Sequence, residues 1–450
     1  MNKFIQSAGL HVGYGKVDIT PSEPMPLQGF GNDLQRISNE VLDLLHATCT
    51  AFAEADGETI LLFSMDLCQP RKILAQLRKT VSEATGVPEG CIMYNVSHTH
   101  SAPSLEFPED PRIARYIDFL LQQLSAAAEA ALEDLKPAQM YIGTVPVIGQ
   151  TFLRHYVLPD GSSVGWDYMA RHSNPVDHEG IPDHTMQLVK FVREGGKDVL
   201  LVNFQSHNTR ALMKHKLAIT ADVVGVIRAA LEEALDSHVA YVNGASGNVN
   251  FSSLVQAEKN QKTYVEQGRE IANVVIHSAP YVFTKVETGK LRLSTCLFKA
   301  EVIHKEDHLL EQALAVQSFW VESGNDRTAT NAFAEQYGIQ GPYHAESIIK
   351  RSALPKTMDV EMDVIAMGDT AIVLAPFEMF TSIGLCIKRF SPFRMTFISA
   401  FSNDCICYLP DMKAFSYPCY ERDETFFVKG TAEAMIEKYV SMMEALRRGG

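Results

Sequence analysis

The sequence predicts an α/β fold, with a mixed β-sheet core covered by helices, as a single large domain over 1–450. Three observations point there. Apolar runs of strand length alternate with segments of helical periodicity up to residue 285. Beyond it the pattern turns to antiparallel-type strands and a hairpin. No linker composition, repeat or charge run divides the chain.

Thr59 to Met65 (TILLFSM) reads as a buried strand closing at Asp66. A helix follows over Lys72 to Thr85, with Ile73, Leu74, Leu77 and Val81 on one face and Gly86 as its stop. Ile92 to Ser97 is a short strand. Arg112 to Leu135 is a long helix carrying Ile113, Ile117, Leu121, Leu124 and Leu132 in register, closed by Pro137. Val199 to Ser206 is a continuous apolar strand, Ala221 to Leu235 a helix, and Val239 to Gly244 a strand. Val286 to His304 alternates as an antiparallel strand does. A mostly helical excursion lies near 305–352. Met358 to Pro376 is a hairpin around Gly368-Asp369, Phe397 to Ser402 a strand, and Thr431 to Arg448 a helix. Val145 to Asp183 is the loop-rich stretch, with Pro159-Asp160-Gly161, Pro175, Gly180 and Pro182.

With 46% hydrophobic and 21% charged residues, the composition is globular and excludes a disordered or fibrous chain. Forty basic against fifty-four acidic residues give a net charge of −14, which disfavours nucleic acid and anionic lipid as partners. No apolar run approaches the roughly 20 residues of a membrane helix, so no stable membrane association is expected. None of the eight cysteines forms a CxxC pair, and they read as buried free thiols, with Cys68 and Cys386 in strand-like runs. Met1 to Gly15 has no secretory h-region, so the expected location is cytoplasmic.

Ser97-His98-Thr99-His100-Ser101-Ala102-Pro103 puts two histidines at spacing two directly after a strand. On a strand that spacing places both on one face. Past a strand's carboxyl end they point into the crevice where open α/β sheets bind ligands. Neutral imidazole is the commonest metal ligand, although paired loop histidines also occur without one. Phe204-Gln205-Ser206-His207-Asn208 carries a third histidine past a buried strand. Two strand ends closing in Ser-His point to a shared site. Asp66 is placed to orient a metal-bound imidazole. In Ala375-Pro376-Phe377-Glu378 the carboxylate is either a rim group or the oxygen ligand of a zinc-type site. By residue type alone, Tyr408 and Tyr420 are packing residues. No GxSxG elbow surrounds Ser97, Ser101 or Ser206, which read as supporting groups rather than nucleophiles.

In order along the chain, these segments resemble the catalytic domain of the neutral/alkaline ceramidase family. Gly13-Tyr14-Gly15-Lys16-Val17-Asp18-Ile19-Thr20-Pro21 and Leu27-Gln28-Gly29-Phe30-Gly31 look like that family's opening, and Tyr408 and Tyr420-Glu421 recur near its end. The resemblance covers nearly all of the 450 residues. It implies a catalytic Zn2+ held by His98, His207, Glu378 and Tyr408. It also implies catalytic roles for His100, Arg154 and Tyr420 around the scissile bond. The implied activity is zinc-dependent hydrolysis of a linear amide by metal-activated water, on a small-molecule N-acyl substrate. Arg154 and Tyr420 would hold the oxyanion, and His100 would carry the proton to the leaving amine.

Three departures bear on the substrate. Ceramidases usually carry a further C-terminal immunoglobulin-like domain, whereas this chain ends soon after Thr431 to Arg448. No secretory leader is visible. Asn248, in Gly247-Asn248-Val249-Asn250, stands where the family has an acidic residue. No apolar entrance loop is evident, and the stretch 145–183 reads as a polar rim, with Arg154, His155, Asp160 and Asp167. These features favour a hydrophilic or detergent-dispersed N-acyl compound over ceramide in a bilayer. The same metal site would also suit another C–N, ester or phosphoester hydrolysis, or a non-catalytic metal-binding homologue.

Overall fold

Gly13 and Gly15 explain how the first strand sits beneath a helix. A Cβ at Gly13 would lie 1.9 Å from the Ala131 carbonyl oxygen, and one at Gly15 would lie 2.0 Å from that of Ala127. Only bare backbone lets strand His11–Asp18 pass this close under helix Pro111–Glu133. In this computed structural model the described residues are 9–30, 33–172 and 174–449. The start of the Met1 to Gly15 segment and Gly31 lie outside them.

That strand is central in a nine-stranded sheet among the described residues. The order is Ser237–Asn243, Asp198–Phe204, Thr185–Arg193, Lys136–Pro146, His11–Asp18, His46–Ala53, Thr59–Met65, Ile92–Val96. Thr284–Val286 also pairs on Lys136–Pro146. The two outermost pairs are parallel and those between are antiparallel. A second sheet runs Leu291–Glu301, Thr357–Met367, Thr370–Leu374, Met395–Ser399.

The two sheets stack. Val12, Phe52, Leu62 and Leu201 of the large sheet share one buried cluster with Ile365, Ile372 and Phe397 of the small one. Side chains alternate along a strand, so Leu200 and Val202 point the other way, onto helices Asp222–Ala234 and Tyr264–Val282. Helices Leu74–Thr85 and Pro111–Glu133 cover the same outer face over Cys49, Phe63 and Tyr94. Thr381–Phe390 and Thr431–Arg448 cover the outer face of the small sheet. The layers are helices, sheet, sheet, helices. No helix among the described residues is long and apolar enough to cross a membrane.

The mixed-sheet, helix-covered α/β class is therefore observed, with one refinement: a second sheet covers the inner face of the large one. Thr59–Met65 has the predicted bounds, and Gly86 caps its helix in the left-handed conformation at φ 72°. The helices of the excursion, Leu310–Glu322, Arg327–Glu335 and Pro342–Ser352, pack around Ala313, Val316, Ala334 and Ile348. Cys386 lies in helix Thr381–Phe390, not in a strand. The eight cysteines are free, six of them buried. Val145 to Asp183 holds a small three-stranded sheet, of Asp177–His178, His155–Val157 and Ser163–Gly165, rather than only loop.

Substituting Gly13→Ala should force the strand and helix apart and destabilise the protein by about 1–3 kcal/mol. A lowered urea or thermal midpoint would show this; an unchanged midpoint would mean the close approach carries no energy.

Candidate metal and catalytic site

The loops that follow strands Ile92–Val96, Asp198–Phe204, Ser237–Asn243 and Thr370–Leu374 meet through short backbone pairings. Thr99, between the two histidines, bridges in parallel to Asn208, and the His100 N–H donates to the Asn208 carbonyl at 3.2 Å. His207 bridges to Asn250, and Val249–Asn250 pairs with Phe152–Leu153. The Arg154 N–H donates to the Asn248 carbonyl at 3.0 Å. Glu378 and Tyr408 are direct register partners in a two-residue parallel pair. The Gly247 N–H ties this pair to the rest by donating to the Met379 carbonyl at 2.7 Å. A Cβ at Gly247 would lie 2.3 Å from the Glu378 carbonyl oxygen, so this contact requires glycine.

On this scaffold His98, His207 and Glu378 converge. His207 Nε2 lies 3.1 Å from Glu378 Oε2, and His98 Nε2 lies 3.5 Å from the same oxygen. The Tyr408 hydroxyl is 3.4 Å from His207 Nε2. His98 Nδ1 donates to the Cys68 carbonyl at 3.0 Å, and His207 Nδ1 to the Ser246 carbonyl at 2.9 Å. Each of these Nε2 atoms then faces the shared space, where its lone pair would be open to an ion. Exposure is 1% for His98 and His207, 7% for His100 and 6% for Glu378. His98 takes a left-handed φ of 59° and stacks on Phe401 at 4.2 Å. That conformation is unfavourable for a histidine and persists because its surroundings hold it.

His100 Nε2 lies 3.1 Å from His98 Nε2, in the same space. Arg36 holds the His100 carbonyl at 3.0 Å, and the exposed Phe30 ring meets the imidazole edge-on at 4.9 Å. A Cβ at Gly29 would lie 2.4 Å from His100 Nδ1, so the glycine leaves room for that ring. Arg154 Nη2 donates to the Tyr408 hydroxyl at 3.1 Å. The Tyr420 ring packs edge-on against Tyr408 at 5.5 Å. All seven residues singled out for metal binding and catalysis thus lie in one connected cluster.

Burial works against a charged Glu378, but His98 and then His207 overcome it and hold the carboxyl at about 2. Burial lowers His98 from its ordinary 6.5 to about 4. Burial, then His98 and His207, holds His100 well below the usual imidazole range. The imidazoles of His98 and His100 are therefore neutral at physiological pH.

Some expectations fail here. Asp66 does not orient an imidazole: Arg228 takes both its oxygens, at 2.5 and 3.0 Å, and the His46 N–H takes one at 2.8 Å. Arg154 and His155 are not an exposed rim. Their side chains are largely buried and share Glu421, at 2.5 and 2.9 Å. Asn248, where the family has an acidic residue, accepts the Thr381 N–H on Oδ1 at 3.0 Å and so caps a helix. Gln69, which no sequence motif singles out, donates to Glu378 Oε1 at 3.2 Å. Its signal was its place just past strand Thr59–Met65, the position type that marked the histidines.

No protein-family model and no curated protein matches the sequence. Solved structures do. A crystal structure of neutral ceramidase from Pseudomonas aeruginosa superposes with a TM-score of 0.71, at 16% identity, covering 98% of this chain and 75% of that one. A ceramidase complexed with C2 gives a TM-score of 0.70, at 16% identity, covering 98% and 76%. The chain has the fold of these ceramidases.

The neutral His98 and the ionised Glu378 make the metal-free protein acid-sensitive. Between pH 6.5 and about 4 the unfolded chain protonates at His98 while the folded one does not. Below 4.5 and down to about 2 the same holds for Glu378. Stability should fall with pH through both windows, by on the order of 3 kcal/mol for His98. Urea midpoints of chelator-treated protein from pH 7 to 4 test this, and a His98→Gln variant should show a shallower slope. Equal slopes would contradict it.

Proposed function

We propose that the chain is a zinc-dependent hydrolase cleaving the amide of an N-acyl substrate. What supports this most is the convergence of two imidazole Nε2 atoms on one buried carboxylate and one tyrosine oxygen. Such mixed nitrogen and oxygen donors, with both imidazoles fixed through Nδ1, fit zinc. His98, His207, Glu378 and Tyr408 would hold the ion. Bound there, it would supply Lewis acidity and a water acidic enough to react at neutral pH.

The surrounding residues have separable tasks. Arg154 brings a positive charge beside Tyr408, where an amide oxygen gathers negative charge during attack. Tyr420, packed against Tyr408, would offer a second donor. His100 lies close to His98 Nε2 and would carry the proton to the leaving nitrogen. Phe30, 48% exposed and in edge-on contact with His100, is an apolar group beside the cluster. It gives an acyl chain a surface beside the reacting bond. The net charge of −14 still favours a small or detergent-dispersed substrate over ceramide in an anionic bilayer.

Purified protein should contain about one zinc per chain, since His98, His207, Glu378 and Tyr408 make up a single four-ligand site. Glu378→Ala should lose it. His100→Ala should keep its zinc while turnover of a short N-acyl compound drops about 10²–10⁴-fold. Loss of zinc from His100→Ala would make that residue a ligand instead. Faster hydrolysis of ceramide in vesicles than of short soluble N-acyl compounds would overturn the substrate preference.

A further inference from the structure

In a continuous strand, consecutive side chains point to opposite faces. Arg154 and His155 are consecutive, yet both reach the carboxylate of Glu421. The chain allows this because strand pairing breaks at Arg154, between Phe152–Leu153 and His155–Val157. The carboxylate enters the gap from the short helix Tyr420–Glu424. Arg154 Nε donates to Oε1 at 2.5 Å and His155 Nε2 donates to Oε2 at 2.9 Å. His155 Nδ1 then accepts from the Tyr417 hydroxyl at 2.9 Å. The guanidinium, fixed at its Nε edge, turns Nη2 onto the Tyr408 hydroxyl at 3.1 Å. An unbroken line thus runs from Tyr417 through His155, Glu421 and Arg154 to the proposed tyrosine ligand. Glu421 is 1% exposed, so water does not compete for its oxygens.

We infer that Glu421, braced by His155, is a positioning residue that aims Arg154 at Tyr408 and so sets how well Tyr408 serves as a metal ligand. A guanidinium is needed because its planar fork spans Glu421 and Tyr408 at once. The carboxylate is needed because one group must accept from two donors in different directions. Tyr417 and His155 fix Oε2, the carboxylate oxygen that Arg154 does not use.

This rests on the zinc-hydrolase reading, and the test separates the two. Zinc affinity is measured by competition with a chromogenic chelator for the full-length protein and for Glu421→Gln, Tyr408→Phe and the double variant. Glu421→Gln should weaken zinc binding roughly 10–100-fold. In the Tyr408→Phe background it should have no further effect, because its influence runs through the missing hydroxyl. Should Glu421→Gln not fold, Arg154→Lys makes the same comparison: it keeps the charge but cannot bridge both partners, and should weaken binding to a similar extent. Unchanged zinc affinity in the single variant overturns this inference alone. So does a loss that multiplies with Tyr408→Phe, since that is general destabilisation. A wild-type protein that binds no zinc overturns both readings.

Discussion

Backbone pairing beyond the ends of the sheets is the constraint on which the site depends. Glu378 and Tyr408 stand side by side because their two-residue strands pair in parallel. His100 and His207 are neighbours because Thr99 and Asn208 bridge. Gly247, which has no room for a side chain, joins the two halves through the Met379 carbonyl. Main-chain hydrogen bonds fix these distances before any ligand arrives, and a preorganised donor set of this kind is what tight metal binding requires. The stacked sheets beneath supply the rigidity, since their packed interior resists small displacements.

Two buried carboxylates lie on either side of one contact. Glu378 is surrounded by His98, His207 and Gln69. Glu421 is surrounded by Arg154 and His155. Burying a carboxylate is costly unless it is paired and hydrogen-bonded. Both are, and both are held ionised below the usual carboxylate range against the effect of burial. The contact between Arg154 and Tyr408 joins the two groups. Their surroundings thus keep His98 neutral and Glu378 ionised.

The sequence made the outer strands of the fold legible and left its centre obscure. Thr59–Met65 and Asp198–Phe204 are continuous apolar runs because they are parallel-paired and covered on both faces. The central strands do not announce themselves. His11–Asp18 carries two glycines, which break its strand pattern in the sequence but here let a helix approach. His46–Ala53 is built from small residues, and Lys136–Pro146 begins and ends near prolines. The residues clustered in the site were legible because each follows a strand or sits in an ordered motif. Their supports were not. Glu421 meets Arg154 across 267 positions, and Asp66 found Arg228 across 162. Nothing in local pattern distinguishes such partners from the other charged residues.

The central claim is that four segments of this chain bind a single metal ion. Diffraction data collected on either side of the zinc absorption edge, from crystals of the zinc-loaded protein, test it most directly. One anomalous peak is predicted, about 2.0–2.2 Å from His98 Nε2, His207 Nε2, a Glu378 oxygen and the Tyr408 oxygen. A peak lying instead among Cys68, His98 and His100, or among His155, Cys419 and Glu421, would contradict the account, because those clusters also bring together groups able to bind a metal.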